Sequence, residues 1–244
     1  MIMNSPLKNI LYLILLVLII YISYEFIRIR KSIQISHTLI DKTVIFDKVS
    51  PDLNITLLVL GDSTAVGVGA GNKLDSIPAL MANYINATYV ENYAVSGAKV
   101  QDLKEQIKKA KLSKYNYILL QIGANDIVAR NDVKKVSQDL QQIYNTLPES
   151  NQVIHICCGN IGTATIIPTI ARNYYTHKTL EYHKEFENID NGNKVTYINL
   201  YQPPEVDVFR REPDIYLAED GFHPSSVGYK YWFAKMQAKI KIQR

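Results

Sequence analysis

Only two of the 244 residues are cysteine, and they are neighbours, Cys157 and Cys158. Adjacent cysteines rarely meet disulfide geometry, so a disulfide framework is excluded. Placed at the end of an apolar run, they read as small apolar residues finishing a buried strand. Excess charge is also scarce where it would matter. Of the net +4, the first 31 residues carry +3, leaving +1 for the other 213. A nucleic-acid binder carries its basic excess on the folded domain, so that class is set aside. Gly67, Gly69 and Gly71 follow an apolar run, with Glu91 about twenty residues on, yet a dinucleotide loop needs glycine where Asn72 stands. No lysine follows in the register of a P-loop, and the three glycines are expected to form a flexible rim. Histidine is sparse. His37 lies in a polar segment, His155 inside the strand-like "QVIHICC", and His177 and His183 are six apart, off a shared helical face. None has metal-ligand spacing, and neither a metal nor a cofactor is expected.

Long hydrophobic runs are limited to one. "NILYLILLVLIIYISY", Asn9 to Tyr24, is uncharged, and its continuation to Ile27 adds only Glu25. As a helix, Ile10 to Ile27 spans about 27 Å, close to a bilayer's hydrocarbon thickness. A signal peptide would be shorter and would end in a small-x-small site. This run exits through the bulky "YEFIRIRK". An uncleaved membrane anchor over residues 1–31 is therefore expected, followed by a polar linker over 32–53 that ends just past Pro51. Lys8 on one flank and Arg28, Arg30 and Lys31 on the other lean weakly toward a cytoplasmic domain.

From residue 54 to 244 the pattern alternates. Strand-like runs occur at 55–60, 88–94, 117–122, 153–157 and 195–200, and helical patterns at 77–85, 100–112, 133–147, 174–189 and 226–242. In "DSIPAL", Asp75 or Ser76 caps the first helix, with Pro78 in its first turn. Five short strands separated by helices predict an α/β domain: a three-layer αβα sandwich around a doubly wound, five-stranded parallel sheet of the flavodoxin-like kind. Ligands in such sheets sit beyond the carboxyl ends of the strands. The sequence after the first strand is "GDS", after the second "NYAVSGA" and after the third "GAND". The loop after the fifth ends in "DGFHP".

Those four loops can carry acyl-transfer chemistry. Ser63 follows the first strand directly, and a serine hydroxyl becomes a nucleophile once a base takes its proton. His223 offers that base, and Asp220, three residues before it, can hold the far imidazole nitrogen. Charge developing on an attacked carbonyl needs preorganised donors. The Ser63 and Gly97 backbone N–H groups and the Asn125 amide are the candidates for this oxyanion hole. Tyr174, Tyr175, Tyr201 and Tyr216 border the same region, with packing as their default role.

These motifs, in this order, resemble the SGNH hydrolases, also called GDSL esterases and lipases. The correspondence runs from about Ile55 to the C-terminus, with motif identity confined to the four loops. It implies Ser63 as nucleophile, Asp220 and His223 as the rest of a catalytic triad, and Ser63, Gly97 and Asn125 as oxyanion donors. Thr64 stands where the family name has leucine, and Ala124 where many members have glycine. The expected function is cleavage of a carboxylic ester or thioester through an acyl-enzyme, on a small-molecule, lipid or glycan ester. An O-acyltransferase and a membrane-tethered binding domain without catalysis are the alternatives. Anchored members commonly act on envelope esters, which tips the expected location to an extracytoplasmic, periplasmic domain.

Overall fold

A computed structural model describes residues 5–189 and 195–242. The first described element is one continuous helix, α1 (Ser5–Lys42). It is long and apolar enough to cross a membrane. Six residues beyond the helix, Lys48 forms an antiparallel bridge with Val90. The expected linker over 32–53 is thus corrected: its first eleven residues continue the helix, and the next few are pinned to the domain. The reason lies in a stripe of part-buried residues, Glu25, Arg28, Ile29, Ser32, Ile35, Ser36, Leu39 and Ile40. Their spacing of three and four puts them on one helical face, against the domain. Leu39 and Ile40 join the domain's apolar core there.

Strand β1 (Thr56–Gly61) is buried along its whole length. It leads into a single helical turn, α2 (Ser63–Val66), and then α3 (Ile77–Tyr84). Ser76 is the N-cap residue of α3, but its hydroxyl donates to the Lys73 carbonyl and makes no cap bond. β2 (Tyr89–Asn92) is followed by α4 (Leu103–Ile107), much shorter than the expected 100–112. β3 (Lys114–Gln121) precedes the short α5 (Ala124–Val128) and the longer α6 (Val133–Thr146). β4 (Glu149–Ile156) leads to α7 (Arg172–Glu187), and β5 (Val195–Ile198) to two short turns, α8 (Val208–Arg211) and α9 (Pro213–Tyr216). The last element is α10 (Ser226–Gln237), where the Ser225 hydroxyl accepts from the Gly228 N–H.

The five strands are all parallel, in the order β2-β1-β3-β4-β5. Alternation along each strand sends side chains to two faces. Leu58 and Leu60 of β1 and Ile118 and Leu120 of β3 pack against α4, α6 and α7. Leu57, Val59 and Leu119 pack against α3 and α10 on the other side. The result is the predicted three-layer sandwich. In this strand order the chain reverses direction across the sheet between β1 and β3, which opens a crevice at their carboxyl ends. Ser63 follows β1 and Asn125 follows β3, so both lie at that crevice.

Candidate active site

The turn after β1 is built by short-range polar contacts. The Asp62 carboxylate accepts from the Thr64 N–H at 2.9 Å and the Thr64 hydroxyl at 2.8 Å, capping α2. From α4, the Gln106 amide bonds both backbone groups of Gly61, at 2.8 Å each, and fixes where the strand stops. Ser63 therefore sits in the first residue of α2, at the rim of the sheet.

From the other end of the chain, His223 reaches the same point. Its Nε2 lies 2.9 Å from Ser63 Oγ and its Nδ1 2.5 Å from Asp220 Oδ2. The second oxygen of Asp220 accepts from the Phe222 and His223 N–H groups at 2.9 and 3.0 Å. Asp220 is fully buried. Burial is the largest single influence on it and pushes its pKa up. The hydrogen bonds and charge of His223, with the Ser36 hydroxyl and the Phe222 N–H, outweigh that and hold it below the usual carboxylate value.

Of the three candidate oxyanion donors, one is the backbone N–H of Ser63 itself, and the other two belong to the loops that follow β2 and β3. Gly97 has a φ of +84°, a left-handed backbone that favours glycine, and a Cβ there would meet open space. Asn125, in the first turn of α5, spends one amide hydrogen on the Ala98 carbonyl at 3.0 Å, and the other has no partner among the described residues. Asp126, which is not among the site residues expected from the motifs, ties these two loops together. Its carboxylate accepts from the Val100 N–H at 3.0 Å and from the Asn131 amide at 2.8 Å. Its place in "GAND" was the available signal. Gly123 must be glycine, because a Cβ would stand 2.7 Å from Cys157 Sγ in a backbone of φ +123°.

The family of GDSL-like lipases and acylhydrolases matches residues 59–231. The chain belongs to this family. It is an ester hydrolase of the GDSL type. The Bacillus subtilis (strain 168) protein YpmR, itself uncharacterized, is 25% identical over 219 residues, which is 77% of this chain and 82% of that protein. Among solved structures, a member of the lipolytic G-D-S-L family from Veillonella parvula superposes with a TM-score of 0.60 at 18% identity, over 75% of this chain and 97% of its own. A phospholipase A1 from Streptomyces albidoflavus superposes with a TM-score of 0.57 at 15% identity, over 76% and 99%.

Beside His223 the GDSL fold leaves a mainly apolar cavity, walled by Gly159, Ile161, Phe209, Leu217, Phe222 and Trp232. The expected flexible rim is corrected. Gly69 lies where a Cβ would be 2.5 Å from the Pro224 carbonyl and 3.0 Å from the His223 side chain, so this loop is close-packed against the histidine turn. Tyr175 is buried and Tyr216 packs edge-on against Tyr231, while Tyr174 lies under the Arg130 guanidinium. A second correction concerns metal ligands. The fold brings Cys157, Cys158 and His183 within 4.8 Å of one another, a cluster no sequence spacing reveals. However, His183 Nε2 faces the Cys158 carbonyl at 3.0 Å and Nδ1 the Tyr197 hydroxyl at 2.5 Å. Both ring nitrogens are committed, so the donor set does not fit a metal as it stands.

Proposed function

We propose that this GDSL-type hydrolase is a serine esterase working through an acyl-enzyme on Ser63. The observation that carries the reading is the hydrogen-bonded chain from Ser63 Oγ through His223 to Asp220. His223 takes the Ser63 proton as the hydroxyl attacks the ester carbonyl, and returns it to the departing alcohol. Asp220 orients the imidazole and stabilises the imidazolium that forms. The Ser63 and Gly97 N–H groups and the free hydrogen of Asn125 receive the oxyanion. Water, activated by the same histidine, then releases the acid. A thioester would react by the same steps with a thiol leaving. The apolar cavity beside His223 is the proposed acyl pocket.

The test is kinetic. On p-nitrophenyl acetate, Ser63→Ala should lower kcat by about 10⁴ to 10⁶. Asn125→Ala should lower it by roughly 10² to 10³. An unchanged kcat in Ser63→Ala would sink the assignment, and a rise in KM alone for Asn125→Ala would make it a substrate-binding residue.

The reading extends to residues 1–31 as an uncleaved anchor, with residues 54–244 as the hydrolase domain outside the cytoplasm. The apolar first half of α1 supports the anchor, since Leu11 to Ile20 are exposed throughout. Protease added to spheroplasts should digest the domain; protection until lysis would place it in the cytoplasm.

A further inference from the structure

Two side chains of α1 converge on the turn that carries Asp220. Ser36 Oγ donates to Asp220 Oδ2 at 2.6 Å, the same oxygen that faces His223 Nδ1. Nearer the start of the helix, the Arg28 guanidinium reaches the Thr165 carbonyl at 2.5 Å and the Ile166 carbonyl at 3.2 Å. Glu25 holds that guanidinium in place at 2.6 Å. The gripped loop is itself bonded to the catalytic turn, because the Ile166 N–H and the Thr165 hydroxyl both donate to the Gly221 carbonyl. The helix thus touches the residue after Asp220 through one loop and Asp220 itself directly.

From this geometry we infer that Ser36 is a positioning residue for the esterase reaction, so that the N-terminal helix completes the active site as well as extending from it. The inference rests on the proposed roles of Ser63, His223 and Asp220. The carboxylate of Asp220 is fully buried and makes four hydrogen bonds, two on each oxygen. Three come from its own turn. The fourth comes from a residue 184 positions away. On Oδ2, the Ser36 donor fixes the side from which the carboxylate can be approached and leaves His223 the other. Without Ser36 that oxygen would be one donor short in a site closed to water, and the carboxylate could rotate away from the imidazole. The hydroxyl also helps keep Asp220 ionised, which the orientation of His223 requires. A chain cut near residue 31 keeps Ser36; a chain cut beyond Lys42 loses it.

The experiment uses the full chain in detergent micelles. Three quantities are measured: the rate of labelling by a fluorophosphonate, kcat and KM on p-nitrophenyl acetate, and the thermal midpoint. Alanine suits a helix at least as well as serine, so Ser36→Ala should still fold, its midpoint lowered modestly by the one lost hydrogen bond. It should label and turn over about tenfold to a hundredfold more slowly with KM unchanged, the scale of a hydrogen bond to a charged group. Ser36→Thr, which keeps the hydroxyl, should recover most of the rate. In an Asp220→Asn background, adding Ser36→Ala should cost little more, since the two act through one carboxylate. Wild-type rates in Ser36→Ala, equal losses in the alanine and threonine variants, or full additivity with Asp220→Asn would each overturn the inference. Failure of the wild type to label would instead overturn the serine-esterase reading on which it rests.

Discussion

Two aspartates flank Ser63, and both are completely buried. Asp62 closes β1 and caps the turn that carries the serine; Asp220 stands behind His223. Burial alone would push both pKa values upward. Asp220 escapes because four donors converge on it, including the imidazole. Asp62 has donors on one oxygen only, both from Thr64. Its Oδ2 is buried with no partner among the described residues, as is Oε1 of Gln121. Desolvation, the largest influence, therefore prevails over the Thr64 bonds and pushes its pKa up to about 7. The lesson is that depth does not set charge; the count of donors does. The negative charge sits on the aspartate that faces the histidine, and the other is held closer to neutrality, where it can serve as a structural cap.

The sharpest way to break this contrast is to make both side chains amides. Asp220→Asn should lower kcat by about 10⁴, because an amide cannot hold the imidazole in the required tautomer. Asp62→Asn should cost far less, since asparagine caps a helix as well as aspartate does. Losses of similar size in the two variants, measured on one ester, would show that Asp62 also carries essential charge.

A smaller effect should appear in stability. Asp62 binds its proton more tightly in the folded chain than in the unfolded one, where the ordinary value is 3.8. Its favourable contribution is thus complete below about pH 4 and is lost as pH rises toward 7. A rise from 3.8 to about 7 corresponds to on the order of 4 kcal/mol at the upper limit. The Tm gap between Asp62→Asn and the wild type should widen from pH 4 to 7 in favour of the variant, then level off. A gap that does not move with pH would mean that Asp62 is ionised throughout.

The loops that hold these groups were readable because each follows an apolar strand. "GDS" and "GAND" announce themselves where hydrophobic runs stop, parallel strands put those stops on one edge, and "DGFHP" closes the long loop after the fifth run. Strand starts were less visible. β3 and β4 begin at Lys114 and Glu149, polar residues recruited by backbone pairing with each other and invisible to a hydrophobic pattern. The second half of α1 was hidden for a similar reason. Ser32, Ile35, Ser36, Leu39 and Ile40 mix polar and apolar residues, and their common face is recognisable only against the surface it covers. Ser36 as a partner of Asp220 and His183 as a partner of Cys158 arise from tertiary contact across 184 and 25 positions. No local spacing encodes either.

The central claim is that an acyl group passes through Ser63, and trapping it is the most direct test. Full-length enzyme mixed with p-nitrophenyl acetate and quenched in acid within milliseconds should carry one acetyl group, located by peptide mass spectrometry on Ser63. Its appearance should match a burst of p-nitrophenol, and Ser63→Ala should show neither. Turnover of the ester with the acetyl group on another residue, or with none on the protein and no burst at any quench time, would contradict the account.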